Sequence, residues 1–310
     1  MRPGEPEVRV SVVIPAYRAW ATLPTVLDAL EPQIVDCPDR ECILVVSSDE
    51  RDAAEVERRW PWVHVIALRT RAFPGRARNI AVERARGAAI AFTDADSPPA
   101  IGWLDELERA LLPGLDGVAG AVANGTPESL VGTAGHLLEF SEWLPHRGAA
   151  ARHAATCNLL VRRPELERRR FREDLWPGED TIFTFPIGSR GKLAFASAAT
   201  VHHLNRTSFR EFLRHQQRLG ASFFQVCAAV PFPGRIFATR PLAPISGFAR
   251  LATLARRVAR HPRDASAALL YLPLVACGLA AWTVGLTRAA WAKSRQPSPE
   301  QRRGELRRSA

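Results

Sequence analysis

Two carboxylates one residue apart, Asp94 and Asp96, follow an apolar run in Ala88-Ala-Ile-Ala-Phe-Thr-Asp-Ala-Asp-Ser97. The run is short and closed by polar residues, which predicts a buried strand with both acids at its carboxyl end. Open α/β sheets bind ligands just outside those ends. Charges gathered there are costly unless something neutralises them. A divalent cation shared with a phosphate would do so, because hard cations take both kinds of oxygen. The competing reading is structural: Asp94 caps a turn, and Asp96 caps a helix starting near Pro98. Three further groups invite the same scrutiny. Glu179 and Asp180 are adjacent in Trp176-Pro-Gly-Glu-Asp180, Arg76, Arg78 and Asn79 share the segment Gly75-Arg-Ala-Arg-Asn79, and His202 and His203 close another strand-like run.

The elements that must position these residues alternate between two periods. Strands are predicted at Val8–Ile14, Cys42–Val46, Val63–Leu68, Ala88–Thr93 and Gly117–Ala123. Helical patterns separate them at Thr22–Leu30, Ala53–Trp60, Gly75–Arg86 and Ile101–Leu112. That alternation implies a mostly parallel sheet with helices on both faces. Beyond it the pattern is less regular. Strands are expected at Thr156–Val161, Leu193–Ser197 and Thr200–Leu204, with helices beginning at Gly178 and running over Ser208–Gly220. Pro231, Pro233, Pro241 and Pro244 then interrupt the chain.

Of 310 residues, 46% are apolar and 24% charged, an ordinary globular composition. Five cysteines without CxxC spacing argue against a disulfide framework and a zinc site, and the first residues do not form a signal peptide. The formal net charge is +10, which suits an anionic neighbour. No basic stripe interleaved with aromatics accompanies it, so nucleic acid is not expected.

Four features occur in order: Val10-Ser-Val-Val-Ile-Pro-Ala-Tyr17, Gly75-Arg-Ala-Arg-Asn79, the Asp94-Ala-Asp96 pair and Glu179-Asp180. Over about residues 8–220 this set resembles the family-2 glycosyltransferases of GT-A fold, inverting enzymes that use a nucleotide-diphosphate sugar. The resemblance implies that Pro15, Ala16 and Tyr17 line the nucleotide pocket, with Arg76, Arg78 and Asn79 near the donor. It implies that Asp94 meets the ribose or metal, and that Asp96 holds a divalent cation, Mn²⁺ or Mg²⁺. Asp180, with Glu179 beside it, would be the catalytic base on the acceptor side, and His203 or His202 a third metal ligand. His215-Gln-Gln-Arg218 is loosely similar to the QxxRW element of membrane synthases, with Leu219 in place of the Trp. The family's two acids after the second strand are replaced by Ser47 and Ser48, so Asp49 would serve only with a one-residue shift. A nucleotidyltransferase and a catalytically silent membrane adaptor are the alternatives. The first would favour an early Gly-rich loop with Lys, and Pro15–Leu30 has neither residue. The second should lack one of Asp94, Asp96 or Asp180.

The C-terminal part has a different physics. Ala265–Thr287 holds 23 residues without a charge. As a helix it is roughly 35 Å long, against a hydrocarbon core of about 30 Å. Arginines flank it on both sides, so charge does not fix an orientation. The expected organisation is a glycosyltransferase domain over 1–222, a Pro-rich linker and basic amphipathic helix over 223–264, a hydrophobic and possibly transmembrane helix over 265–287, and a basic tail over 288–310. The enzyme is expected at the cytoplasmic face of the cell membrane. Its partners there would be a nucleotide-sugar donor, an anionic lipid surface, and a sugar, lipid-linked or small-molecule acceptor.

Overall fold

The computed structural model describes residues 7–47, 50–146, 151–259 and 262–292. Asp49 and Ser48, and the tail beyond Ala292, lie outside them. The chain divides into two compact units, Met1–Ser208 and Phe209–Ala310.

In the first unit the elements run β1 (Val10–Ala16), α1 (Leu23–Ile34), β2 (Arg40–Ser47), α2 (Glu50–Arg59), β3 (Val63–Leu68), α3 (Pro74–Arg84), β4 (Ala89–Thr93), α4 (Trp103–Ala110), β5 (Gly117–Asn124), α5 (Leu130–Phe140), β6 (Asn158–Arg162), α6 (Arg163–Arg168), α7 (Glu179–Ser189) and β7 (Leu193–His203). One sheet holds all seven strands in the order β3-β2-β1-β4-β6-β5-β7. Strands β1 to β4 pair in parallel, and β6 runs antiparallel between β4 and β5. Alternate residues serve opposite faces. Val10, Val12 and Ile14 pack with Leu27, Leu30 and Trp103 on one side, whereas Val13 packs with Ala77, Ala81 and Phe92 on the other. Both faces are therefore covered, as a parallel sheet requires.

Pro15, expected to close the first strand, lies inside it opposite Val45. The reason is local. β1 pairs with β4 only as far as Val13↔Phe92, so the missing amide of Pro15 faces no partner strand on that side. The two strands expected at Leu193–Ser197 and Thr200–Leu204 form one bulged strand. Gly120 pairs with Ala196 and Ala121 with Thr200, leaving residues 197–199 out of register.

The second unit consists of α8 (Phe209–Ala229), two 3₁₀ turns at Arg235–Ala238 and Ala243–Ile245, α9 (Ser246–Ala259) and α10 (Pro262–Ala292). The division falls at Ser208/Phe209, whereas the sequence suggested 222. The helix runs well past Gly220 because that glycine is a packing surface. A Cβ on Gly220 would stand 1.9 Å from the Trp282 carbonyl, and one on Gly285 would stand 1.9 Å from the Gln217 carbonyl. α8 and α10 thus meet backbone to backbone. Below them Trp282, Leu286, Ala290 and Ala243 make a small core. Among the described residues, eight of the twelve exposed large apolar side chains belong to this unit, including Phe248, Leu270, Leu272, Val284 and Trp291.

Candidate active site

Strand order reverses around β1, which has β2 on one flank and β4 on the other. The crevice at their carboxyl ends is where such a sheet places a ligand. Pro15, Ala16 and Tyr17 leave β1 there, and Asp94 and Asp96 leave β4. The Ser47 hydroxyl donates to the Ala16 carbonyl at 3.3 Å, holding the neighbouring strand end in place. Tyr17 carries the guanidinium of Arg71 over its ring, 4.5 Å from the centroid, and that of Arg18 at 5.4 Å. Arg71 was not singled out in the sequence. Its only signal was a basic residue shortly after a strand.

The acidic pair sits in a tight turn. The Ser97 amide donates to the Asp94 carbonyl at 3.0 Å, and the Thr93 hydroxyl donates to the Ser97 carbonyl at 3.0 Å. From that turn the two acids go separate ways. Asp94 accepts from Arg78 Nη2 at 2.6 Å, while Nη1 of the same guanidinium donates to Glu179 at 2.8 Å. One arginine, only 2% exposed, thereby joins the end of β4 to the start of α7. The rest of the Gly75–Asn79 segment divides in the same way. Arg76 is exposed. Asn79 spends its amide on the 171–173 loop, donating to the Phe171 carbonyl and Glu173 at 2.9 Å and accepting from the Phe171 amide at 3.0 Å.

Gly178 starts α7 with φ 105°, a left-handed conformation natural to glycine, and the acids follow immediately. Asp180 accepts from its neighbour's amide, Thr181 N, at 2.6 Å. Burial raises the Asp180 carboxyl above the ordinary range, against the pull of that amide, Arg78 and His153. Glu179 is raised as well, to about 7, by burial and then by the charge of Asp180, with Arg78 opposing. Its Oε2 is buried without a hydrogen-bond partner. Beneath the site lies Cys157. Burial, together with Asp94, Asp96 and Asp180, keeps its thiol protonated. All five cysteines are free.

Asp96 is held against the end of β7. Its carbonyl accepts from the Leu204 amide at 2.8 Å, and Pro99 bridges to Val201. His203 points inward, and its Nε2 lies 3.7 Å from Asp96 Oδ1. His202, one residue away on an alternating strand, is exposed. The tautomer of His203 is set from behind. The amide group of Asn205 donates to Asn124 Oδ1 at 2.8 Å, Thr126 Oγ1 at 3.1 Å and the His203 carbonyl at 3.0 Å. Its Oδ1 is left to accept the Nδ1 proton at 2.9 Å. Nε2 is the ring nitrogen that faces a carboxylate oxygen, an arrangement that suits a proton or a cation between them. An imidazole and a hard carboxylate are both ligands for a divalent ion, and here they converge. Among the described residues no third His, Cys, Asp or Glu joins them in a metal-holding group, since Asp94 is turned to Arg78.

Asn158 fixes the bulge that leads to His203. It is 1% exposed, donates to the carbonyls of Ala121 at 2.7 Å and Ala199 at 2.8 Å, and accepts from Trp103 Nε1 at 2.8 Å. α5 supplies a further wall: His136, Phe140 and His203 form a ring series, with centroids 5.5 and 4.6 Å apart. Burial, then the nearby His203, lowers His136 to about 3, so this imidazole is neutral. Neither of its nitrogens has a hydrogen-bond partner. α5 is not among the helices expected from the sequence, although Ser129 is legible there as its cap. Its hydroxyl accepts from the Gly132 amide at 3.0 Å, ahead of Leu130, Ala134, Leu137 and Leu138.

The architecture is that of the GT-A glycosyltransferases. A mannosyltransferase from Pyrobaculum calidifontis, solved in complex with GDP-Man and Mn²⁺, superposes with a TM-score of 0.64 at 19% identity, over 92% of this chain and 88% of that one. S. aureus TarS 1–349, in complex with UDP-GlcNAc, gives 0.51 at 15% identity, over 93% and 92%. At such identities the likeness is one of fold. The chain itself belongs to glycosyl transferase family 2, whose model matches residues 11–176. A glycosyltransferase of Haloferax volcanii, AglE, is 28% identical over 226 residues, 70% of this chain and 73% of that protein. The protein is a glycosyltransferase.

Proposed function

We propose that this enzyme transfers a sugar, with inversion, from a nucleotide diphosphate to an acceptor hydroxyl in a reaction that depends on a divalent cation. The observation that carries the reading is the convergence of Asp96 and His203, with the imidazole Nε2 turned toward the carboxylate at 3.7 Å. Mn²⁺ or Mg²⁺ held there would neutralise the charge that grows on the departing diphosphate. The mannosyltransferase complex with GDP-Man and Mn²⁺ supports the choice of donor class and ion.

The remaining roles fall to groups already in place. Pro15, Ala16 and Tyr17 line the nucleotide side, where the Arg71 guanidinium offers a positive charge to the diphosphate. Arg76 stands exposed beside them for the same use. Arg78 works from inside: it pairs with Asp94 and Glu179 together and so ties the end of β4 to the start of α7. Asp180 takes the acceptor proton as the hydroxyl attacks, and its burial raises its basicity for that step. Glu179 braces Arg78. Asp49 remains a candidate for the nucleobase.

The second unit supports work at a membrane. Leu270–Ala292 is apolar enough to cross one, yet only 33% of its most apolar window is buried. Its covered side lies on α8, which carries Arg210, Arg214 and Arg218 and does not belong in hydrocarbon. A helix that dips into one leaflet, with the arginines of α8 kept at headgroup level, satisfies both facts. Nucleotide sugars are cytosolic, so that leaflet is the cytoplasmic one, and a lipid-linked or cell-envelope acceptor is the economical choice.

Calorimetry with donor and Mn²⁺ tests the central assignment. Asp96→Ala is expected to abolish metal-dependent donor binding while the thermal midpoint stays put. Unchanged metal-dependent affinity in that variant would remove the assignment.

A further inference from the structure

We propose that the groove between α8 and α10 seats the phosphate headgroup of an anionic bilayer lipid, whose acyl chain lies along the exposed stripe of α10. The inference rests on the membrane reading above and gives it a particular site. The groove encloses about 490 Å³, lined by Arg210, Leu213, Arg214, Gln217, Ala281 and Val284. That volume is in the range of small-ligand sites.

Its chemistry is divided as a lipid is. Arg210 and Arg214 are one helical turn apart on α8, both exposed, and neither meets a carboxylate among the described residues. Arg210 also occupies the first turn of α8, where the helix dipole disfavours a cation. Glu211 shares that turn and suits the dipole, but it is not paired with Arg210 in any ion pair among the described residues. An external anion would meet two guanidiniums and the positive helix end together. The opposite wall, on α10, is apolar, formed by Ala281 and Val284, and Leu213 adds an apolar side chain between the arginines on α8. Val284 continues into an exposed face of α10 that holds Leu270, Pro273, Cys277 and Ala280. From Leu270 to Val284 the helix rises about 21 Å, enough to cover the roughly 15 Å of hydrocarbon in one leaflet. Arg288 and Trp291 are exposed just beyond Val284, and both residue types favour the headgroup level. The groove arginines, Arg288 and Trp291 thus mark one depth, and the apolar stripe lies on one side of it. A free phosphate would use the arginines and leave the stripe uncovered. A lipid uses both.

The test is co-flotation of the full chain with phosphatidylcholine vesicles, with and without phosphatidylglycerol. The wild type is expected to float with the anionic vesicles. Arg210→Gln combined with Arg214→Gln should weaken that binding about thirtyfold, since each cation near an anionic surface contributes roughly a fivefold change. Arg240→Gln combined with Arg256→Gln removes the same charge from exposed positions outside the groove and should cost far less. Equal losses in the two double variants would overturn the groove site and leave the membrane reading standing. Absence of wild-type binding to either vesicle would overturn both. Displacement from the vesicles by soluble glycerol phosphate would replace the lipid with a free-phosphate ligand. Unchanged circular dichroism in both double variants confirms that folding is not what is being measured.

Discussion

In the first unit an arginine is drawn inside and surrounded: Arg78 is 2% exposed and holds Asp94 with one nitrogen and Glu179 with another. Arg40 is treated alike by Asp105 and Glu108, and Glu165 gathers Arg169 and Arg190. In the second unit Arg210 and Arg214 stand in the open beside apolar side chains that are equally uncovered. The first unit pairs these buried charges internally and hides most of its apolar surface, so it can hold carboxylates in fixed places. The second leaves both kinds of surface unfinished, as a protein part does when its surroundings supply the other half. Chemistry and location are thereby assigned to separate parts of one chain.

The contrast can be broken most forcefully at the base. Asp180→Asn should leave donor affinity unchanged and lower kcat by about 10²–10⁴-fold, since only the proton transfer is lost. Stopped assays of nucleotide diphosphate release, beside donor titration, separate the two quantities. A loss below tenfold would take the base role away from Asp180. Next in size is the stability of the ion-pair hub. Arg78→Gln leaves the buried Glu179 and the half-buried Asp94 without their cation and should cost about 3 kcal/mol in urea unfolding. Arg214→Gln, in the other unit, should leave the midpoint where it was. Similar shifts for both would erase the distinction between closed and open electrostatics.

A smaller effect concerns acid. His136 is lowered from 6.5 to about 3, so between those values the folded chain binds fewer protons than the unfolded one. Stability from this group is present above pH 6.5 and falls as pH is lowered through that window. The raised Glu179 carboxyl acts in the opposite sense, since the folded chain holds its proton more tightly. Comparing wild type with His136→Phe isolates the histidine: the variant should lose less stability between pH 6.5 and 4.5. Parallel curves would mean that His136 is solvated in the folded protein.

Much of this was legible in the sequence because strand ends are marked twice, by an apolar run and by the polar residues that stop it. Asp94, Asp96 and Tyr17 were found that way, and the family pattern supplied their roles. The partners that orient them were not legible. Asn205 matters because it faces Asn124 and Thr126 across the sheet, and Asn158 because Trp103 and Ala199 meet it in space. No periodicity encodes such meetings. Arg78 and Asn79 were read as donor-side residues from their helix. Which way each faces was settled by the 171–173 loop and α7, nearly a hundred residues later. The antiparallel β6 was hidden too, because a short apolar run carries no sign of its direction.

The bulge at residues 197–199 sets the reading frame of the strand that follows it. Beyond it β7 alternates strictly, and the inward place nearest Asp96 is given to whichever residue arrives in phase. In this chain that residue is His203, with His202 directly before it. An insertion of one residue at the bulge, if not absorbed there, would advance His202 into the inward place. The site would still receive an imidazole. It would lose Asn205, because Leu204 would take that residue's position. The histidine doublet therefore protects the identity of the side chain against a slip of one, while the choice of which nitrogen carries the proton stays tied to a single frame.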